Sequence, residues 1–127
     1  MTPRRAPGEQ RRPTPAQAAG GEAEEAAARL LADHGLAIVA RNYRTRLGEI
    51  DLVARDGDTL VFVEVRLRTS ERYGGAAQSI DSRKRARIAA AARQFLARFP
   101  REPACRFDVV TFDGGAPQWL RGAFEVS

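Results

Sequence analysis

Gly48-Glu49-Ile50-Asp51-Leu52-Val53-Ala54-Arg55 runs into Asp56-Gly57-Asp58-Thr59 and out again through Leu60-Val61-Phe62-Val63-Glu64-Val65-Arg66. Two apolar runs rich in β-branched residues enclose an Asp-Gly turn, the strongest short-range signal for a β-hairpin. The turn also sets the register. Whether the loop is 56–59 or Gly57-Asp58 alone, Arg55 falls opposite Leu60. Counting back from there puts Asp51 across from Glu64 and Glu49 across from Arg66. Cross-strand partners hold their Cβ atoms roughly 4.5–5.5 Å apart, where like charges repel. Two facing carboxylates within apolar strands need compensation, because partly buried negative charge is costly. A divalent cation such as Mg²⁺ or Mn²⁺ supplies it, since both prefer carboxylate oxygens. Equally open at this point is a solvent-facing strand face on which Arg66 and other arginines neutralise the acids.

Downstream of the hairpin, residues 67–78 contain Tyr73-Gly74-Gly75 and read as a loop. A helix is expected from Asp81 or Ser82 to Phe99, stopped by Pro100, with Ile88, Ala92, Phe95 and Leu96 as its apolar face. Its opening, Ser82-Arg83-Lys84-Arg85-Ala86-Arg87, places four cations where the helix dipole is already positive. That arrangement costs about 0.3–1 kcal/mol per charge at low salt, which an anion would reverse. Arg83, Lys84 and Arg87 are therefore candidate phosphate contacts; a solvated basic face is the plainer reading. Arg106–Phe112 reads as a strand, and Trp119 and Leu120 as part of a short final one, with Trp119 in the core.

Upstream, 20–34 has helical composition, with Ala23, Ala27, Leu30 and Leu31 as the buried stripe and Gly35 as the stop. Glu24 lies on the margin of that stripe, placed to look towards a sheet, whereas Glu22 and Glu25 point outward. Leu36–Tyr43 reads as the first strand. Residues 1–19 carry four prolines and almost nothing to bury, so a disordered Arg/Pro-rich tail is expected there and one domain over 20–127.

The 127 residues suit a single domain with a modest core. No apolar run approaches the ~20 residues of a membrane helix, and the N-terminus lacks an apolar secretion segment, so the expected location is cytoplasmic. The lone cysteine, Cys105, rules out an internal disulfide and counts against structural zinc. A net charge of +5 is unevenly spread. Residues 83–106 hold eight basic side chains and one acid, whereas 20–82 hold eight basic and eleven acidic ones. An acidic hairpin beside a basic helix fits a protein that holds a cation and a phosphate backbone together.

The order helix, three strands, helix, strand, with acids on the first helix and on strands two and three, resembles the PD-(D/E)XK nuclease superfamily. Glu24…Ala27-Ala28-Arg29, Arg41-Asn42-Tyr43-Arg44, Gly48-Glu49-Ile50-Asp51-Leu52, Val61-Phe62-Val63-Glu64-Val65-Arg66, Arg83-Lys84 and Arg106-Phe107-Asp108-Val109-Val110 resemble one branch, the YraN-like family. That family consists of predicted endonucleases distantly similar to archaeal Holliday-junction resolvases. The resemblance covers roughly 20–124. It implies a restriction-endonuclease-like α/β fold, a central mixed sheet flanked by helices in α-β-β-β-α-β order. It implies Asp51 and Glu64 as principal ligands of Mg²⁺ or Mn²⁺, joined by the Val65 carbonyl, with Glu24 contributing through water and Glu49 supporting the site or pairing with Arg66. DNA, in preference to RNA, is the implied substrate, with no membrane partner and a homodimer by similarity to the resolvases.

One residue departs from the pattern. The superfamily has lysine where this chain has Arg66. Guanidinium stays protonated and cannot serve as a general base, though it can hold a phosphate. Arg66 is then an electrostatic partner in catalysis, or the protein binds nucleic acid without cutting it. The only lysine, Lys84, is an alternative source of the missing group but is expected on the phosphate backbone. A protein-interaction module with a metal-free acidic pocket is the third reading.

Overall fold

Five strands form one sheet in the order β1-β2-β3-β4-β5, and in the computed structural model, which describes residues 15–67 and 80–125, a helix covers each face. The elements are α1 (Pro15–Asp33), β1 (Ala37–Arg44), β2 (Glu49–Asp56), β3 (Thr59–Leu67), α2 (Ser82–Leu96), β4 (Cys105–Phe112) and β5 (Gln118–Phe124). The architecture is the expected α/β one, with a restriction-endonuclease-like order of elements. β3 and β4 are parallel and every other pair is antiparallel, so the connection through α2 crosses the sheet to return in the same direction.

Alternation along the strands builds two cores. Leu52, Ala54, Val61, Val63 and Val110 meet Ala27, Ala28 and Leu31 of α1. Val53, Leu60, Phe62 and Val109 meet Ile88, Ala91, Ala92, Phe95 and Leu96 of α2. Phe62, Phe95 and Tyr43 make edge-to-face contacts across the second core, with centroids 5.2 and 6.0 Å apart. Among the described residues no helix is long and apolar enough to cross a membrane.

Several boundaries differ from expectation. α1 starts at Pro15, inside the stretch expected to be tail. Proline suits a first helical position because its missing N–H has no partner there, and Ala-Gln-Ala-Ala then favours helix. Residues 1–14 lie outside the described residues, as does 68–79, which holds most of the expected loop. α2 ends at Leu96, after which Arg98 and Phe99 bond three residues back in a tightened last turn.

Candidate functional site

The β2–β3 hairpin has the register derived from its turn, from Asp56↔Thr59 and Arg55↔Leu60 up to Leu52↔Val63. There the ladder stops, and a side chain takes over from the backbone. Asp51 Oδ2 accepts the Val65 N–H at 2.8 Å. The strands are already irregular at this level. On β1, Asn42 has φ +50°, and Ala40 and Tyr43, three residues apart, pack into the same α2-side core. On β2, Ile50 and Val53 do the same. Regular strands would send such pairs to opposite faces. Since Arg41↔Leu52 and Tyr43↔Ile50 flank this point, both strands turn together at Asn42 and Asp51.

The turn delivers Asp51 to Glu64. Glu64 is 6 % exposed, and its pKa is pushed up to about 7 by burial and by the charge of Asp51, against the pull of Lys84 and Arg66. Burial also raises the Asp51 carboxyl, opposed by the Val65 N–H, by Lys84 and by a hydrogen bond from Glu64. Two desolvated carboxyls that share a hydrogen bond hold their proton where isolated ones would lose it. Glu24 approaches from α1. Its pKa is raised by burial and by Asp51, and lowered by a hydrogen bond from Asn42.

Lys84 reaches down from the first turn of α2 and places Nζ 3.4 Å from Glu64 Oε1. Its side chain thus leans on Glu64 and also lines the cavity shared with Arg87. The N-terminus of α2 also has its own anion: Asp81 is the N-cap and accepts the Lys84 N–H at 2.8 Å. Arg83 and Arg87 remain exposed on the outside of the helix. Arg85 turns away, donating to the Ile80 carbonyl and lying 5.6 Å from the Phe124 ring centre. Between β2 and α2, Glu49, Lys84, Arg87 and Ile88 line a cavity of 210 Å³.

Glu49 meets Arg44 of β1 at 3.3 Å, and its charge acts on Glu24 and Asp51. Arg66 stands opposite Thr111 of β4, with its charge acting on Glu64. Glu25 points outward to Arg41 at 2.6 Å, and Glu22 is exposed.

The donor chemistry suits a hard divalent ion, because Mg²⁺ commonly takes one or two carboxylates and completes its shell with water and substrate phosphate. Asp51 and Glu64 form such a pair. Glu24 stands beside the pair, close enough for the Asp51 charge to raise it.

The model of the uncharacterised protein family UPF0102 matches residues 23–112, which hold every acid of this site and the whole basic start of α2. The chain belongs to the UPF0102 family. It is 54 % identical to a UPF0102 protein of Paracidovorax citrulli over 94 % of this chain and 91 % of that one. It is 53 % identical to one from Ralstonia nicotianae, covering 90 % and 92 % of the two chains. A UPF0102 protein of Burkholderia thailandensis is 60 % identical over 83 % of this chain and 74 % of its own.

Three contributors to the candidate site of this UPF0102 protein escaped the sequence reading. Asn42 was legible as a residue that interrupts a run of strand formers. Gly48 was not: a Cβ there would lie 2.1 Å from the Arg87 carbonyl oxygen, so the start of β2 sits directly on the α2 backbone. Thr45 holds that approach, its Oγ1 accepting the Leu47 and Gly48 N–H groups at 3.1 and 3.0 Å. Lys84, weighed from the sequence as an alternative source of the missing group, reaches Glu64.

The other buried acid is structural. Asp108 is fully buried and accepts from Arg106 Nε, Trp119 Nε1 and the Gly122 N–H at 2.9 to 3.2 Å. A larger cavity of 350 Å³, lined by residues including Cys105, Arg106 and Phe124, lies at the opposite end of β4 from the level of Glu64.

Proposed function

We propose that this protein is a metal-dependent endonuclease of the PD-(D/E)XK kind that hydrolyses DNA phosphodiester bonds, with selectivity for branched or otherwise irregular structures. The carrying observation is the Asp51–Glu64 pair, two carboxyls from adjacent strands, both raised by burial, with Lys84 acting on both and Arg66 on Glu64. Asp51 and Glu64 would hold Mg²⁺ or Mn²⁺. The bound ion supplies an acidified water and offsets charge on the scissile phosphate. Val65 fixes the Asp51 carboxylate through its N–H, which keeps one oxygen oriented while the other faces the site. The Arg66 guanidinium donates to phosphate oxygen, stabilising charge that develops there. Arg83 and Arg87, exposed on α2, hold flanking phosphates.

A second reading rests on Arg66 and on the Lys84–Glu64 contact. With arginine at the usual lysine position and an ammonium already on Glu64, the same surface suits a nucleic-acid-binding protein that does not cut. Plasmid, hairpin and four-way-junction DNA incubated with Mn²⁺, Mg²⁺ or chelator distinguish the two. The nuclease reading expects ion-dependent cleavage that Asp51→Ala abolishes. Salt-sensitive binding without cleavage, converted to cleavage by Arg66→Lys, supports the binding protein instead. Neither binding nor cleavage sinks both.

A further inference from the structure

Glu64 is nearly sealed from water, and the ammonium beside it belongs to a side chain whose two ends are treated differently. The backbone of Lys84 is pinned, its N–H held by Asp81 Oδ1. Its side chain is 39 % exposed and ends on a four-carbon stem beside the 210 Å³ cavity that Glu49, Arg87 and Ile88 complete. The anchor is fixed, and the flexible stem offers rotamers that carry the tip elsewhere. A divalent cation on Glu64 and an ammonium 3.4 Å from the same carboxylate repel one another, so the two compete for it.

We propose that Lys84 is an internal counter-ion that couples divalent-cation binding to nucleic-acid binding. In the ion-free protein its ammonium neutralises Glu64. When an ion takes that carboxylate, the ammonium swings into the cavity beside Arg87 and pairs with a phosphate of the nucleic acid. The ion thereby raises affinity for the phosphate backbone, and by reciprocity the backbone raises affinity for the ion. A lysine on α2 thus serves the site in place of one on β3, by a route that Arg66 on its rigid strand does not offer. This rests on the reading of Asp51 and Glu64 as an ion site; it does not require that the bound DNA be cut.

Mn²⁺ binding to the purified protein, followed by electron paramagnetic resonance with and without a phosphorothioate-protected four-way junction, tests the coupling. Wild type is expected to bind Mn²⁺ about tenfold more tightly when the junction is present. Lys84→Met removes the competing charge, so its Mn²⁺ affinity without DNA rises about tenfold while its gain from DNA shrinks. Lys84→Arg keeps the charge and stays close to wild type, and Arg83→Met weakens junction binding but leaves the Mn²⁺ affinity of the DNA-free protein unchanged. Circular dichroism confirms that each variant is folded. Mn²⁺ binding that Lys84→Met leaves unchanged or weakens overturns the counter-ion and leaves the ion site standing. Absence of Mn²⁺ binding in wild type and in every variant overturns the ion site, and the counter-ion with it.

Discussion

Glu64 carries the sharpest consequence at the level of single residues. Its carboxyl titrates near 7 in the folded protein against 4.5 for the free group, so between those values the native state binds a proton that the unfolded chain has released. Stability of the ion-free protein therefore falls as pH rises through that window and levels off above it. The loss amounts to roughly 3 kcal/mol, counting about 1.4 kcal/mol for each pH unit of displacement. Urea unfolding in chelator at about pH 5 and about pH 8 measures it, and Glu64→Gln should flatten the slope. A slope that survives in Glu64→Gln would place the buried proton on another group. Asp51→Asn is the companion variant: it keeps an acceptor for the Val65 N–H and removes the charge that raises Glu64, so the Glu64 titration moves down.

Between elements, the decisive contact is that of β2 with α2. Gly48 lets the strand begin against the Arg87 carbonyl, and the same approach brings Lys84, four residues after Ile80 and just inside the helix, over Glu64. Gly48→Ala forces strand and helix apart, because the obstructing atom is backbone and cannot rotate away. Overpacking of this kind costs about 1–3 kcal/mol. Urea denaturation should report that loss, and the lysine–glutamate contact should loosen with it, so that Glu64 titrates still higher in Gly48→Ala than in wild type. Unchanged stability would mean that the two elements tolerate wider separation than the native contact implies.

For the molecule as a whole, Asp108 joins the far side of the sheet to its centre. Its carboxylate gathers a side chain from β4 and both a side chain and a backbone N–H from β5, while Arg106 extends the network to Asp56 at the hairpin turn, 3.0 Å away. Asp108→Ala leaves the indole N–H and the Gly122 N–H without their acceptor and Arg106 with Asp56 alone, a loss of roughly 1–3 kcal/mol for the buried donors left unpaired. Hydrogen exchange should show β5 losing protection before β2 and β3 do. Uniform loss across the sheet would make the network a global requirement and not a local clasp for the edge strand. The opposite edge, β1, is blunted by the register shift between Ile38 and Ala40 and by Arg41 and Arg44.

Element order, hairpin register and both helix faces were legible in the chain, because period-2 and period-3.6 patterns and an Asp-Gly turn are local properties that neighbouring residues express without help. That Asp51 and Glu64 come together was legible for the same reason, although the ladder itself ends one pair earlier, at Leu52↔Val63. The end of that ladder was not, because it depends on a carboxylate replacing a backbone acceptor at a point where two strands turn together.

By itself, then, the sequence determined which residues become strands and helices, which acids face each other across one hairpin, and how positive charge gathers at the start of α2. Only the tertiary structure decided that the lone lysine leans on Glu64, that Asp81 occupies the helix end, and that Asn42 bonds Glu24 beside the acid pair. Those outcomes turn on distances of a few ångströms between residues far apart in the chain. Packing sets them, and no local pattern encodes them.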